Sequence, residues 1–167
     1  NNENGNYNTA TGAYALTGNT SGISNTACGQ GALWKNTTGN NNTASGTIAL
    51  WANTTGDKNT ALGDEAGKNN ETGSSNVFIG YKAGHGETRS NKLYIANNDS
   101  EEANLITGDF STGALTLGNT ANNTNNKFQI PGAIGDQDQV LTLTNATTGE
   151  TRWSTLGGGG GGNVQSD

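Results

Sequence analysis

Small and apolar residues recur at fixed positions along the first half of the chain, among stretches of Asn, Thr and Gly. The stretch NTACGQGALWKNTTGNN at residues 25–41 is followed directly by NTASGTIALWANTTGDK. Aligned on Asn-Thr-Ala, the repeat has a period of 17 residues, and its copies begin at Asn8, Asn25, Asn42, Asn59 and, with a looser match, Asn76. A fixed period of this kind is typical of a solenoid, in which each coil packs on the next.

Two repeat positions are constant. The fifth is Gly (Gly12, Gly29, Gly46, Gly63, Gly80) and the eighth is Ala (Ala15, Ala32, Ala49, Ala66, Ala83). A helical repeat is excluded because Gly costs about 1 kcal/mol in a helix interior. The pattern predicts an all-β fold, a parallel β-solenoid or β-roll whose coils stack at roughly 4.8 Å. We expect the glycines at turns with positive φ, the alanines in a narrow interior, and each Asn amide bonded to its copy in the next coil.

The 17-residue register ends near residue 90, and the rest of the chain divides by its composition. Residues 1–90 are the predicted solenoid. Residues 91–126 hold a strand at KLYIA, a hairpin around DFSTG and a polar linker, which together we interpret as a neck. Residues 127–156 predict a second small hairpin, and residues 157–167 begin with a six-glycine linker to a further module. The chain opens within a repeat, and NVQSD at its end resembles the start of a further module, so we expect the natural polypeptide to extend upstream and downstream.

Composition favours stacked coils over one large core. Ile, Leu, Val and Phe number 24 of 167 residues, a share below the roughly 20% under which disorder is the default interpretation. Disordered chains, however, do not usually keep Gly and Ala in a fixed register, and the net charge of −6 is modest. Scattered Lys and Arg in an acidic chain argue against a nucleic-acid partner. We expect no membrane insertion, since no apolar run approaches ~20 residues.

The repeats NTALGDEAG and NTACGQGALWKNTTGNN resemble the NTAIGYxALxxNTTGxx repeats of phage tail-fibre-like proteins and large bacterial surface proteins. These are similar in turn to the heads of trimeric autotransporter adhesins. Residues 76–84 (NVFIGYKAG), 90–119 and 130–157 resemble the closing repeat and the following segments of such fibres. The resemblance implies a left-handed parallel β-roll, three chains side by side, and a role in host attachment.

The fourth repeat position departs from that family, which usually has Ile, Val or Leu there. This chain has Thr11, Cys28 and Ser45 before Leu62 and Ile79 restore the pattern. We expect this position to face the interior, so that the first three coils have a smaller or wetter core with hydroxyls bonded along the stack.

Catalytic chemistry has few residues to use. His85 stands alone and is expected in a turn, and the paired carboxylates at residues 64–65 and 101–102 are expected on the solvated surface. Asp136 and Asp138 have calcium-like spacing, but the repeat of calcium-binding β-rolls is missing. Cys28 has no second cysteine for a disulfide. We therefore expect no catalytic residue, cofactor or metal, and no enzyme activity.

Trp34 and Trp51 occupy the same repeat position, beside Leu33 and Leu50. The 17-residue period therefore predicts that the two rings stack on one face of neighbouring coils. These four residues are candidates for a subunit interface, which we favour because large apolar groups are scarce, or for contact with a glycan or receptor. Asn-x-Thr/Ser sequons recur with the turn at Asn19, Asn36, Asn53 and Asn70, and we expect them to be unmodified.

The sequence thus predicts a homotrimeric fibre segment, structural and host-attaching, in a phage tail fibre within the virion. Its partners would be other fibre or baseplate proteins and a host-surface glycan or receptor. The alternative is a trimeric adhesin on a bacterial surface. A remote alternative is an ice-binding solenoid, for which Thr9, Thr26, Thr43 and Thr60 would form the threonine row.

Overall fold

The computed structural model describes residues 5–97 and 105–117, and the backbone of three further strands at 128–130, 139–143 and 151–155. Five three-residue strands lie at 17-residue intervals: β1 (Thr9–Thr11), β2 (Thr26–Cys28), β3 (Thr43–Ser45), β4 (Thr60–Leu62) and β5 (Val77–Ile79). They are parallel and in register, with Thr9 opposite Thr26 and Thr43 opposite Thr60. The predicted all-β solenoid of 17-residue coils is therefore confirmed.

The sheet continues beyond the repeats. Strand β6 (Lys92–Ile95) pairs in parallel with β5, but its Leu93 lies 16 rather than 17 residues after Val77. Strands β7 (Ile106–Asp109), β8 (Ala114–Leu117) and β9 (Phe128–Ile130) add antiparallel, giving one nine-stranded sheet. A separate antiparallel pair is formed by β10 (Gln139–Leu143) and β11 (Thr151–Thr155). The β7–β8 and β10–β11 pairs fall where the sequence predicts hairpins, whereas the expected linkers at 119–126 and 157–162 lie outside the described residues.

The middle residue of each inner strand points into the coil. Successive side chains in a strand alternate between its two faces, so Ala27, Ala44 and Ala61 are fully buried. Across the interior are the eighth-position alanines Ala32, Ala49, Ala66 and Ala83, also 0% exposed, while Ala15 of the terminal coil is half-buried. The interior is therefore narrow and lined mainly by methyl groups.

The fourth repeat position does not face the interior, so our expectation of a wetter core there was wrong. Because the third position points inward, the fourth must point outward, and Leu62 is 52% exposed. Cys28 is likewise exposed and Ile79 half-buried. The Thr, Cys and Ser side chains at this position are not core substitutions, since they lie on the outer surface of the sheet.

Compensating changes in side-chain volume at the third and ninth positions keep the interior filled along the stack. The ninth position is Leu in the first three complete coils and Gly at Gly67 and Gly84. Phe78, in the third position of the last coil, takes the freed space: a Cβ on either glycine would collide with the Phe78 ring. Phe78 also stacks on Tyr94 of β6, with 6.0 Å between ring centroids. The third and ninth positions are thus Ala and Leu in the middle coils, and they become Phe and Gly in the last coil, where the repeats meet the following strands.

Two rows of buried asparagines run through the stack. Asn25, in the first position, accepts the backbone N–H of Asn42 on its Oδ1 (2.9 Å) and donates its Nδ2 to the carbonyl of Gly39 (2.8 Å). Asn36, in the twelfth position, donates to the same carbonyl and to Asn19 Oδ1, at 3.0 and 2.8 Å. The eight members described as fully buried are Asn19, Asn25, Asn36, Asn42, Asn53, Asn59, Asn70 and Asn76. The expected amide ladder between coils is therefore present, except at Asn70, whose Nδ2 donates to Gly73, so that the buried Oδ1 of Asn53 accepts no hydrogen bond from the described residues.

The fifth-position glycines sit where no side chain fits. Their φ angles lie between 108° (Gly80) and 143° (Gly46), in a region that L-residues rarely adopt. A Cβ added to Gly46 would lie 2.5 Å from the carbonyl carbon of Gly63 in the next coil. Close stacking of the coils and the backbone turn therefore both require glycine.

Glu87 ends the twelfth-position row. Its side chain is 3% exposed and accepts hydrogen bonds from Arg89 Nε and Nη2 at 2.8 Å and from the Tyr94 hydroxyl at 2.6 Å. Burial raises the pKa of Glu87, but the hydrogen bonds from Arg89 and Tyr94 outweigh burial and lower the pKa to about 2. An ionised, fully bonded carboxylate therefore stands where the preceding coils have an amide.

Replacing Gly46 by Ala should destabilise the solenoid by about 1–3 kcal/mol or more, because positive φ and the clash with Gly63 add together. The free energy of unfolding from urea titration measures this cost. Thr47→Ala, at an exposed neighbour, is the control and should change stability by less than about 0.5 kcal/mol. Equal stability of the two variants would contradict the stacking geometry at Gly46.

Acid should weaken the fold partly through Glu87. Its folded pKa is about 2 and the ordinary value is 4.5, so its stabilisation is present above pH 4.5 and lost as pH falls toward 2. The loss is on the order of 2–3 kcal/mol. Glu87→Gln should be less stable than the parent at pH 7, and the difference should shrink between pH 4.5 and 2. A pH-independent difference in unfolding free energy would show that ionised Glu87 is not what stabilises this end.

Candidate functional site

Trp34 and Trp51 lie side by side on the outer surface of neighbouring coils. Their ring centroids are 5.2 Å apart and the ring planes are inclined by 43°. Trp34 is 38% exposed and Trp51 is half-buried. The ammonium group of Lys35 lies 3.9 Å from the centroid of the Trp51 ring, at cation–π distance. The 17-residue period is what brings the two rings together.

The seventh repeat position completes this aromatic face. It holds Tyr14, Gly31 and Ile48 in three successive coils, each with positive φ between 48° and 66°. Tyr14 is 66% exposed, whereas Gly31 has no side chain to offer and leaves a notch between its two neighbours. The result is an open groove of about 420 Å³, lined by Tyr14, Gln30, Gly31, Trp34, Ile48 and Trp51. The repeat pattern indicates the tryptophans but not Gly31, whose role depends on backbone conformation and on its neighbours in the adjacent coils.

Leu33 and Leu50 do not belong to this face, which corrects our expectation that they contact another subunit or a receptor. Both are 0% exposed and lie in the core of their own coil. Like the outward-facing seventh position, the ninth has positive φ, 51° at Leu33 and 49° at Leu50, so the place of the residue within the coil, and not φ alone, decides that its side chain points inward. Leu33 and Leu50 therefore give no reason to place Trp34 and Trp51 against a neighbouring chain.

The same face becomes charged in the last two coils. The seventh and tenth positions there are Glu65, Lys68, Lys82 and His85. Glu65 pairs with Lys68 Nζ at 3.0 Å and lies 3.2 Å from His85 Nε2. The hydrogen bond from Lys68 lowers the pKa of Glu65. The aromatic surface is therefore confined to the first three complete coils.

A second surface, which we call the strand face, consists of the second and fourth positions of β1–β5. It carries no ionisable group except the Cys28 thiol, and its side chains are exposed or half-buried. Its members are Thr9, Thr11, Thr26, Cys28, Thr43, Ser45, Thr60, Leu62, Val77 and Ile79. The signal for it was available in the sequence, because a strand with an inward third position must present the second and fourth outward.

The sequon asparagines are inaccessible in the folded chain. Asn19, Asn36, Asn53 and Asn70 are the twelfth-position row and are 0% exposed. Their side-chain nitrogens donate hydrogen bonds inside the coil, as Asn70 does to Gly73 at 2.9 Å. The folded solenoid therefore offers no glycan acceptor at these four sites.

The other sequence candidates add no site within the described residues. Glu101, Glu102, Asp136, Asp138 and the glycine run at 157–162 lie outside them. Where the structure describes side chains, no three His, Cys, Asp or Glu come together as metal ligands. The part of the chain that was placed also contains no helix long and apolar enough to cross a bilayer.

Leu33 points into the core and Trp34 points outward, and the stability cost of truncating each side chain tests this difference. Leu33→Ala should lower the unfolding free energy by about 2–5 kcal/mol, because it leaves a cavity in the core. Trp34→Ala should cost about 1 kcal/mol, the scale of a lost aromatic pair at a partly exposed position. Urea unfolding of both variants at one protein concentration gives the comparison. A larger cost for Trp34→Ala would contradict the placement of the two side chains.

Comparison with known proteins provides no assignment for these surfaces. No protein-family model, curated protein or solved structure matches the chain.

Proposed function

We propose that the chain is a structural and host-attachment segment of a homotrimeric fibre, of the phage tail-fibre type. The observation that carries this proposal is the strand face, which extends over all five repeat strands without a charged side chain. Buried cores of protein interfaces are depleted in charged residues. A surface of this length without charge fits two further copies of the same chain, aligned along the stack.

The strand face is a better subunit interface than the tryptophan pair. Its in-register strands give each coil the same outward geometry, so contacts made by one coil can repeat in the next. Its apolar character increases toward the last coils, where Leu62, Val77 and Ile79 replace Thr and Ser. The aromatic face instead ends at Glu65 and Lys68. We therefore place the neighbouring chains on the strand face and leave Trp34 and Trp51 for receptor contact.

The mechanical role follows from the stack. Every coil is hydrogen-bonded to the next through strands, turns and asparagine side chains. A solenoid of this kind holds its two ends at a fixed separation, as a fibre shaft or head requires. Its assembly partners would be other fibre or baseplate proteins of a virion. A trimeric adhesin on a bacterial surface would use the same architecture and is the alternative setting.

The ice-binding alternative uses the same strand face. Thr9, Thr26, Thr43 and Thr60 do form an exposed row in register. A second row, at the fourth position, runs beside it and begins with Thr11 but continues with Cys28 and Ser45. The two adjacent threonine rows of an ice-binding surface are therefore not formed. A trimer built on this face would also cover the row, so the oligomeric state discriminates between the two functions.

The protein in solution should have three times the chain mass of 17.0 kDa, measured by light scattering at micromolar concentration. Thr43→Lys should dissociate the trimer, since three added charges would meet in an uncharged interface. Thr47→Lys is the matched control: it adds the same charge at an exposed position outside the strand face and should leave the trimer intact. A monomeric parent would refute the trimer, and an intact Thr43→Lys trimer would refute this interface.

A further inference from the structure

We propose that the groove around Trp34 binds a pyranose ring of a surface glycan. The proposal rests on the host-attachment function above and names the ligand class and the residues that would receive it. The groove lies on the outer surface of the solenoid, so a trimeric fibre would present three such sites, one on each chain, around its shaft.

Trp34 supplies the stacking surface. A pyranose presents a face of C–H groups with partial positive charge, and the face of an indole ring is negative. Trp34 is accessible over more than a third of its surface, and Trp51 supports it from the next coil at 5.2 Å. Lys35 lies over the Trp51 ring, which holds that ring in place and leaves Trp34 as the free platform.

Gly31 provides the depth of the site. It shares the seventh repeat position with Tyr14 and Ile48, whose side chains form the two walls. A Cβ at Gly31 would already lie 3.1 Å from Ile48 Cγ2 and 3.6 Å from Trp51 Cδ1. A larger side chain would therefore fill the notch. The volume of about 420 Å³ is within the range of small-ligand sites, roughly 300–1,000 Å³.

Polar groups around the groove favour a sugar over an apolar peptide or a lipid chain. Among the lining residues, the Gln30 amide and the Tyr14 hydroxyl can each donate and accept, and the Lys35 ammonium, a donor, lies beside the groove at the Trp51 ring. Gln30, Tyr14 and Lys35 are all exposed, and no carboxylate lines the groove. Ring stacking combined with hydrogen bonds to hydroxyl groups is the recognition that a pyranose needs. The ammonium group would also accommodate an acidic sugar.

The test is titration of the full chain with four defined saccharides: cellobiose, lactose, N,N′-diacetylchitobiose and 3′-sialyllactose. The indole N–H resonances of the tryptophans report binding residue by residue. We expect at least one saccharide to shift the Trp34 signal saturably, with a Kd below about 10 mM, the weak range of a single-ring site. A preference for 3′-sialyllactose over lactose would identify the acidic class through Lys35.

Three variants make the test specific. Trp34→Ala removes the platform, and Gly31→Asn fills the notch with a residue that tolerates its φ of 66°. Each should weaken binding by roughly tenfold or more, as loss of a central contact does. Tyr81→Ala is the control, because Tyr81 is an exposed aromatic residue in the last coil, outside the groove. It should bind like the parent.

Several results would overturn the proposal. One is that none of the four saccharides shifts a tryptophan signal of the parent up to about 20 mM. Another is unchanged binding by Trp34→Ala. A third is dissociation of the trimer by Trp34→Ala or Gly31→Asn, which would make the groove a subunit contact. Light scattering on the same samples separates these outcomes from failure of the fibre function, which a monomeric parent would show.

Discussion

The structure depends on the buried asparagine side chains. An isolated amide inside a protein is costly, but one with all its partners adds directional bonds to the core. Two asparagines of one coil, such as Asn25 and Asn36, converge on the carbonyl of Gly39, and each also bonds to a neighbouring coil. These contacts fix the separation and the register of the coils together. A chain with few large apolar residues can therefore fold without a large apolar core.

Stacking also explains how the coils tolerate unfavourable backbone conformations. Ile48 and Leu50 have positive φ, which costs a non-glycine residue on the order of 1–2 kcal/mol. The backbone N–H groups of both residues bond to adjacent coils, at 2.8 Å to Gln30 and 3.0 Å to Ala66. Positive φ occurs at both positions, and their different places in the coil leave the seventh-position side chain on the outer surface and the ninth in the core. The aromatic groove is therefore a direct consequence of how the coil turns.

The sequence predicts the period, the glycine positions, the small interior residues and the pairing of Trp34 with Trp51, because each follows from translation by one coil. It does not predict the direction of a side chain within the coil. The third-position alanine served only to align the repeats. Because it is buried and side chains alternate along a strand, the fourth position must face outward. Leu33 was misplaced for a related reason, since its place within the coil, and not its residue type, decides that it points inward. Gly31 forms the notch of the groove only because Tyr14 and Ile48, at the same position of the adjacent coils, provide side chains on either side of it.

Hydrogen exchange of the asparagine side-chain amides, followed by NMR, tests the central claim most directly. The protein contains buried asparagines and exposed ones such as Asn41 and Asn69, which serve as internal references. The account predicts slow exchange for the Nδ2 protons of the two buried rows and fast exchange for the exposed side chains. Equally fast exchange in both groups would contradict it, because the coils would then be held together by something other than their asparagines.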